Sequence, residues 1–282
     1  MRIIRDIKQM SIACSRLRVK SKSIGFVPTM GALHKGHLSL IRKARKENDV
    51  VAVSIFVNPA QFSPREDFAE YPRNFRKDGL LCKGEGVDIL FYPEAPRMYP
   101  AGYKTYVDVE DLSKALCGRF RKGHFKGVTT VVAKLFNIVG PNVAYFGQKD
   151  AQQAIIIQRM AGDLNFPLKI RIMRTVREGD GLAMSSRNAY LSPSDRKSAS
   201  VLFRALNLAK DLIIKGDKNP ASIIESMKKL IKQTNAARMQ YISIVNLEDL
   251  RPVAKIEGRV LIALAAWFGK TRLIDNMIVS VK

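Results

Sequence analysis

Residues 28–37 read Pro28-Thr29-Met30-Gly31-Ala32-Leu33-His34-Lys35-Gly36-His37 and set two histidines three positions apart. The apolar residues 24–27 before them are typical of a buried parallel strand, and apolar residues after them recur at helical spacing. The first N–H groups of a helix have no intrahelical partner, and the helix dipole there favours an anion. The stretch therefore predicts a phosphate site, with His34 and His37 on one face of the first helical turn. Gly31 and Gly36 allow the backbone to approach a ligand closely.

Two other interpretations of this stretch stay open when it is taken alone. A histidine near a helix start can simply cap the helix or lie on the polar surface, and two histidines can bind a metal. The whole chain has only three His and three scattered Cys, with neither an HExxH nor a CxxC spacing. We therefore predict no metal site built from protein side chains.

The composition is that of an ordinary globular protein, with 282 residues, of which 46% are hydrophobic, and with 18 Gly and 12 Pro. The longest apolar run, residues 260–268, is about half a membrane span, and the basic first 20 residues contain no long apolar core. Cys14, Cys82 and Cys117 are odd in number and far apart, which argues against a disulfide framework. We expect a cytoplasmic protein that does not span a membrane.

The net charge of +23 raises the hypothesis of a nucleic-acid partner. Its distribution argues against that hypothesis, because residues 1–50 hold 12 basic and 3 acidic residues while later segments show at most a mild surplus. The chain has no basic low-complexity tail, RNA-binding aromatic motif or zinc finger. We expect no nucleic-acid partner, and part of the charge suits an enzyme that handles polyanionic nucleotides.

The first part of the chain alternates strand-like and helical patterns, which predicts an α/β fold with a parallel sheet. The predicted strands span residues 24–28, 50–57, 88–92, 143–146 and 170–176. The predicted helices span residues 36–47, 75–84, 128–139 and 151–161. Residues 103–109 alternate in polarity and suggest an outlying hairpin strand.

The composition changes near Glu178-Gly179-Asp180-Gly181, which indicates a hinge or mobile loop. Beyond it we predict a long amphipathic helix over 194–215, a second helix over 222–232, and strands at 241–245, 259–265 and 271–278. The chain is thus predicted to have a Rossmann-like domain, residues 1–176, followed by a smaller α+β domain, residues 177–282.

Two polar motifs follow predicted strands of the first domain. Asn58 and Gln61 come after the second strand and could bind a small polar substrate, although the stretch also reads as a simple Asn-Pro turn. Gly147-Gln148-Lys149-Asp150 follows a later strand, with Lys149 suited to a phosphate and Gln153 one turn further. A surface lysine and a helix-capping Asp150 are the alternative there.

Met184-Ser185-Ser186-Arg187 offers two hydroxyls and a guanidinium to triphosphate oxygens from a loop that could close over a site. This motif and the His34-Lys35-Gly36-His37 element resemble the two signatures of class I nucleotidyltransferases. More narrowly, the motifs at residues 28–37, 58–62, 71–73, 123–128, 147–153 and 180–188 resemble those of the pantoate–β-alanine ligases, and residues 271–276 are also similar. Gln148 differs from the Glu that is usual in that family.

The resemblance implies ATP-dependent condensation of (R)-pantoate with β-alanine through pantoyl adenylate, giving pantothenate, AMP and pyrophosphate. It implies that His37, His34 and Lys149 are catalytic and that Gln61, Gln153, Asn58 and Met30 bind pantoate and β-alanine. It implies ATP contacts from Met30, Gly31, Ala32, Leu33, His34, Lys35, Gly36, His37, Gly147, Gln148, Lys149, Asp150, Val176, Met184, Ser185, Ser186 and Arg187. It also implies Mg²⁺ on the ATP phosphates and a homodimer, and it assigns no role to His124.

Two alternatives to this function stay open. One is another class I adenylate-forming enzyme, such as a relative of the aminoacyl-tRNA synthetases, because both signatures fit that class. The other is a binding protein that keeps the fold without catalysis, and Gln148 is the one position that suggests it.

Overall fold

The computed structural model describes residues 1–64, 66–234 and 237–281. The chain forms two compact units, which are discontinuous in sequence. The first comprises Met1–Ser113, Arg121–Gly147 and Ile156–Arg174, and the second comprises Lys114–Phe120, Gln148–Ile155 and Thr175–Lys282. The domain boundary at residue 176 stays a prediction; two short segments of the second unit come from before that residue.

A six-stranded parallel sheet forms the centre of the first unit, in the order β1-β4-β3-β2-β5-β6. Its strands are β1 (Arg2–Ile4), β2 (Ile24–Thr29), β3 (Val50–Ile55), β4 (Ile89–Phe91), β5 (Val143–Gly147) and β6 (Lys169–Met173). The central strand β2 pairs with β3 on one side and β5 on the other. The strand order reverses between β2 and β5, and the carboxyl ends of strands at such a point are where ligands of open α/β sheets bind. This confirms the predicted Rossmann-like parallel sheet.

The helices of the first unit are α1 (Ile7–Val19), α2 (Lys35–Glu47), α3 (Phe75–Gly84), α4 (Ala95–Met98), α5 (His124–Val139) and the later part of α6 (Ala151–Asp163). Helix α2 buries Leu38, Leu40, Ile41 and Ala44 in one core with the β2 and β3 side chains, as its sequence periodicity predicts. This packing fixes the start of α2 beside the carboxyl end of β2.

The second unit has an antiparallel sheet in the order β7-β8-β9. Its strands are β7 (Ala237–Asn246), β8 (Arg259–Phe268) and β9 (Thr271–Ser280), and its helices are α7 (Pro193–Ala199), α8 (Val201–Ile214) and α9 (Pro220–Lys232). Apolar residues of α8 and α9, including Leu206 and Met227, share a core with Ile262 and Leu264 of β8. The three C-terminal strands predicted from the sequence are therefore confirmed, and the structure pairs them as an antiparallel sheet.

One predicted helix, residues 194–215, is divided in two at Ser200. The Ser200 hydroxyl donates a hydrogen bond to the Lys197 carbonyl, the acceptor that an unbroken helix would offer to the Val201 N–H. The prediction of one continuous helix is wrong because a serine hydroxyl competes locally with the helical backbone pattern.

The predicted strand over 103–109 is also wrong: these residues, all within the described part of the chain, have no strand assignment. The backbone of Val107 bonds instead to side chains of α5. The Val107 N–H donates to the Thr130 hydroxyl at 3.0 Å, and the Val107 carbonyl accepts from the Thr129 hydroxyl at 2.6 Å. Alternating polarity here reflects one face packed on a helix rather than a strand pair.

Other features follow the composition. Cys14, Cys82 and Cys117 are buried free thiols, and burial raises the pKa of Cys14 to about 11. None of the helices in residues 1–64, 66–234 and 237–281 combines the length and hydrophobicity that a membrane span requires. Strand β1 and helix α1 are not among the predicted elements. A three-residue strand gives almost no periodic signal, and α1 buries only Met10 and Cys14, so its apolar pattern is weak.

Helix α5 packs so closely at Gly127 that one added methyl group there should lower the free energy of unfolding. A Cβ built on Gly127 of α5 would overlap the Ala60 carbonyl oxygen and lie 2.7 Å from the Gln61 backbone nitrogen. Because both are backbone atoms, Gly127→Ala should destabilise the fold by about 1–3 kcal/mol. Urea unfolding followed by circular dichroism measures this. Gly79→Ala, in α3 with no atom within 4 Å of the new Cβ, is the control and should be neutral or stabilising; equal effects of the two changes would contradict the prediction.

Candidate functional site

The turn after β2 is shaped by two side chains. The Thr29 hydroxyl donates to the Ser54 carbonyl and accepts from the Gly31 N–H at 3.2 Å. Gly31 has φ of +87° and Ala32 has φ of +50°, so the chain makes a sharp left-handed turn before α2. This turn requires a partner for its inward-facing N–H groups.

That partner is Asp78 of α3, which is 2% exposed. Its two carboxylate oxygens accept hydrogen bonds from the Ala32 and Leu33 N–H groups, both at 2.8 Å. Two backbone N–H groups thereby satisfy the buried carboxylate, and the turn is fixed by a residue outside its own sequence. Asp78 was not among the predicted site residues, because the residues that it binds lie 46 and 45 positions earlier.

His34 and His37 form a reciprocal cap at the start of α2. His34 Nδ1 accepts from the Gly36 N–H at 3.1 Å, and His37 Nδ1 accepts from the His34 N–H at 3.3 Å. An acceptor nitrogen carries no proton, so each neutral ring has its proton on Nε2. The ring centroids are 4.1 Å apart. The cap thus orients both Nε2–H groups as hydrogen-bond donors, which is the chemistry a phosphate oxygen requires.

Met30, Asn58 and Gln61 lie together in the first unit. The Gln61 amide contacts the Met30 sulfur at 3.1 Å and accepts from the Asn58 amide at 3.1 Å. Asn58 also donates to the Gly127 carbonyl, while its own oxygen accepts from the Tyr99 hydroxyl at 2.8 Å. The structure therefore groups three of the four residues predicted to bind the small acid and the amine.

The backbone of Gln61 has a separate support from His124. His124 Nδ1 lies 2.8 Å from the Gln61 carbonyl oxygen, and its Nε2 lies 2.9 Å from a nitrogen of Arg121. A carbonyl only accepts and a guanidinium only donates, so the Nδ1–H tautomer satisfies both contacts. His124 thus holds a loop in place and carries its proton on the opposite nitrogen from His34 and His37.

Arg121 in turn donates two hydrogen bonds of 2.7 Å to Glu66. Burial would raise the pKa of Glu66, but the Arg121 guanidinium holds the pKa of this carboxyl below its ordinary value. The pair therefore stabilises the fold at pH above the ordinary glutamate pKa, and this contribution is lost as the pH falls through the lowered value.

In the second unit, Lys149 and Asp150 lie in the 3₁₀ turn Gln148–Asp150, with Lys149 Nζ 3.6 Å from an Asp150 oxygen. The Asn276 amide nitrogen donates to the Gln148 and Lys149 carbonyls, each at 2.9 Å. Gln153, in the first turn of α6, is half-buried. Residues 271–276 are part of the family resemblance, but Asn276 is not among the predicted site residues.

The stretch predicted as a hinge or mobile loop is a closed turn of a short hairpin. The Glu178 N–H donates to the Leu182 carbonyl, and the Met184 N–H donates to the Val176 carbonyl at 3.0 Å. Arg196 binds Glu178 and Asp180 together, with contacts of 2.7 and 2.5 Å. These bonds fix Val176 and Met184 side by side, as a shared nucleoside pocket would require.

Ser185 begins the 3₁₀ turn Ser186–Tyr190, and its hydroxyl accepts from the Arg187 N–H at 3.2 Å. Asn188 donates to Glu178 and to the Ala183 carbonyl, which joins this turn to the hairpin. Hydrogen bonds therefore fix the backbone of the turn that carries Ser186 and Arg187.

The predicted site residues are distributed over both units. In the first unit are Met30, Gly31, Ala32, Leu33, His34, Lys35, Gly36, His37, Asn58, Gln61 and Gly147. In the second are Gln148, Lys149, Asp150, Gln153, Val176, Met184, Ser185, Ser186 and Arg187. Among the described residues, no group of three or more His, Cys, Asp or Glu side chains is arranged to hold a metal ion.

Because Asp78 accepts two hydrogen bonds from the turn, replacing it with the isosteric Asn should lower the stability of the protein. Asp78→Asn leaves one acceptor oxygen, so one buried N–H of the turn loses its partner, at about 1–3 kcal/mol of stability. The free energy of unfolding in urea and the rate of the overall reaction should both fall. The control is Asp163→Asn, which alters an exposed ion pair with Arg159 at 3.8 Å and should change stability by at most about 0.5 kcal/mol. A wild-type unfolding midpoint for Asp78→Asn would contradict this role.

Comparisons with known proteins show the family of the chain. The pantoate–β-alanine ligase family model matches residues 2–278. Pantothenate synthetase of Moorella thermoacetica is 55% identical over 281 residues, covering 100% of this chain and 99% of that protein. The crystal structure of pantothenate synthetase from Thermus thermophilus is 44% identical, with a TM-score of 0.94, and covers 98% of this chain and 99% of that chain. Pantoate–β-alanine ligase from Francisella tularensis, complexed with β-γ ATP and β-alanine, is 37% identical, with a TM-score of 0.80 and coverage of 99% and 97%. The resemblance of the motifs is confirmed: the chain belongs to the pantoate–β-alanine ligase family of enzymes.

Proposed function

We propose that the chain joins (R)-pantoate to β-alanine in two ATP-dependent steps. In the first, a pantoate carboxylate oxygen attacks the α-phosphorus of ATP, the bond to the β-phosphate breaks, and pyrophosphate leaves. In the second, the β-alanine amine attacks the acyl carbon of pantoyl adenylate, AMP leaves, and the amine gives up a proton. The observation that carries the proposal is the His34–His37 cap at the start of α2 in a chain of this family.

Each step needs charge stabilisation rather than a covalent enzyme intermediate. The attack on the α-phosphorus spreads negative charge over the phosphate oxygens, and fixed donors at those oxygens lower the barrier. We assign His37 to the α-phosphate and His34 to the side of the β-phosphate. Their shared cap supports this assignment, because it directs both Nε2–H groups without using them in the cap itself.

The remaining phosphate contacts are assigned to the second unit. Lys149 supplies a cation for the departing pyrophosphate, and Ser185, Ser186 and Arg187 supply two hydroxyls and a guanidinium. The backbone bonds that hold the Gln148–Asp150 and Ser186–Tyr190 turns support these roles, since a fixed donor stabilises developing charge without reorganising.

Separate sets of residues are assigned to the nucleoside and to the acid. The proposed nucleoside contacts are Gly147, Gln148, Asp150, Val176 and Met184, and the 28–37 turn, including Gly31, Ala32, Leu33, Lys35 and Gly36, lies along the phosphates. We assign Gln61, Gln153, Asn58 and Met30 to pantoate and β-alanine. The packing of the Gln61 amide against Met30 and Asn58 supports a site that orients a small acid.

Mg²⁺ fits this scheme as a companion of the ATP phosphates. Because no cluster of metal-ligating side chains occurs in the described residues, the phosphate oxygens rather than the protein would supply most of its ligands. Bound there, Mg²⁺ would neutralise phosphate charge. We also propose that the protein is a cytoplasmic homodimer that binds no nucleic acid.

The decisive test separates the two steps. With the protein, Mg²⁺–ATP and pantoate but no β-alanine, labelled pyrophosphate should exchange into ATP, and adding β-alanine should give AMP and pantothenate in equal amounts. Replacing pantoate with each amino acid tests the synthetase-like alternative, and should give no exchange. Nucleotide binding without any exchange would favour the non-catalytic alternative and overturn the proposal.

His37 gives a prediction that separates chemistry from helix capping. His37→Ala should lower the single-turnover rate of pantoyl-adenylate formation by about 10²–10³, the scale for loss of one preorganised oxyanion donor. His37→Glu retains an acceptor for the His34 N–H, because Glu at this position completes a capping box, but its carboxylate has no N–H to donate. It should therefore keep the unfolding midpoint while adenylating slowly. Wild-type adenylation in either variant would remove His37 from catalysis.

A further inference from the structure

Two consecutive polar residues, Asp275 and Asn276, are buried in β9 at 2% and 4% exposure. They pair in register with Leu264 and Ala263 of β8. Consecutive side chains of a strand point to opposite faces, so this sheet has a polar group buried on each face at one level. A buried polar side chain is costly unless it is hydrogen-bonded, and both of these have specific partners.

Asn276 faces the turn that carries Lys149. Its Nδ2 donates to the Gln148 and Lys149 carbonyls, each at 2.9 Å, so both amide protons are used on one short stretch of backbone. The Gln148 side chain donates back to Asn276 Oδ1 at 3.4 Å. The Asn276 amide thus binds the backbone carbonyls of Gln148 and Lys149 by two contacts of 2.9 Å, and the Gln148 side chain by one longer contact.

Asp275 keeps Asn276 in place from the other face. Its Oδ1 accepts from the Asn276 N–H at 2.8 Å, and its carboxylate receives two bonds from Arg177, at 2.6 and 2.9 Å. Arg177 also donates to the Gly181 carbonyl and stacks on Phe203 with its guanidinium carbon 4.1 Å from the ring centroid. Burial raises the pKa of Asp275, with Arg177 opposing the shift. The strand at Asn276 is therefore anchored to the hairpin that carries Val176 and Met184.

A lysine contributes to a transition state only if its backbone holds the ammonium where charge develops. Lys149 lies in a 3₁₀ turn of three residues, which has few internal hydrogen bonds to fix it. The Asn276 amide supplies the missing donors for the carbonyls of that turn. Because both of its amide protons are used on these carbonyls, the effect of Asn276 on the reaction should pass through Lys149.

We propose that Asn276 is a positioning residue for Lys149 in the adenylate-forming step. This inference rests on the proposed role of Lys149 as a contact of the departing pyrophosphate. Asn276 acts by fixing the Gln148–Lys149 carbonyls, and Asp275 with Arg177 fixes Asn276. The Gln148 amide takes part in the same arrangement through its contact with Asn276 Oδ1.

The test is a double-mutant cycle measured by single-turnover formation of pantoyl adenylate. Asn276→Asp replaces the two N–H donors with a carboxylate facing two carbonyls, and it should slow adenylation by about 10- to 100-fold, as small misplacements of a catalytic group do. In a Lys149→Ala background, the same change should cost no more than about twofold, because the group it positions is gone. Release of pantothenate from preformed pantoyl adenylate and β-alanine should keep its wild-type rate.

Controls separate this role from a general loss of structure. Asn219→Asp makes the same chemical change at the N-cap of α9, where Asp caps as well as Asn, and should leave both steps unchanged. Asn276→Ala removes the donors without adding charge, and it should reproduce the slow first step with a folded circular dichroism spectrum if Asn276→Asp unfolds.

Two outcomes would overturn the inference in distinguishable ways. If Lys149→Ala itself adenylates at the wild-type rate, the proposed role of Lys149 fails and the inference fails with it. If Lys149→Ala is slow but the Asn276 change is harmless, or multiplies fully with it, only the positioning role of Asn276 is wrong.

Discussion

The Asp78 carboxylate accepts the N–H groups of Ala32 and Leu33, and this contact determines where the next helical turn begins. Without it, the left-handed turn at Gly31 and Ala32 would expose two donors to a buried environment. With it, His34 enters α2 in the conformation that caps the helix, and the His34–His37 pair is set. The orientation of two imidazoles therefore depends on a side chain from a different helix.

In the second unit, the turn after β5 has the opposite hydrogen-bonding requirement, and a side chain of the opposite kind satisfies it. After β2 the unpaired groups are N–H donors, and a buried carboxylate accepts them; after β5 they are carbonyl acceptors, and the Asn276 amide donates to them. In both places one polar side chain with two functional atoms binds two successive backbone groups. Such bidentate contacts fix a turn more firmly than one bond, and they satisfy the buried side chain at the same time. Both turns thus owe their shape to a buried side chain from another part of the chain.

The sequence predicts the residues that lie in the loops and misses those that hold them. The His34–His37 spacing, the apolar strands and the glycine turns are local patterns, so they can be recognised from the sequence alone. Asp78 is the only buried acid of α3, yet nothing in residues 75–84 indicates that it binds a turn more than forty positions away. Asp275 and Asn276 interrupt an otherwise apolar strand pattern, which is a usable signal of buried polar contacts but gives no partner. The errors at 103–109 and at Ser200 have the same origin, because side-chain hydroxyls took backbone bonds that periodicity assigns to strands or helices.

The basic surplus of residues 1–50 also has a structural part. Arg18 donates to the Val139 and Gly140 carbonyls at the end of α5, and Arg45 donates to the Asn48 carbonyl just after α2. The last carbonyls of a helix lack intrahelical partners and carry the negative end of the dipole, so a guanidinium there satisfies both. Arg45 also pairs with Asp88, and Arg42 pairs with Glu85. These arginines therefore have structural partners at helix ends and acidic side chains, so this part of the basic surplus of residues 1–50 does not by itself indicate a polyanionic partner.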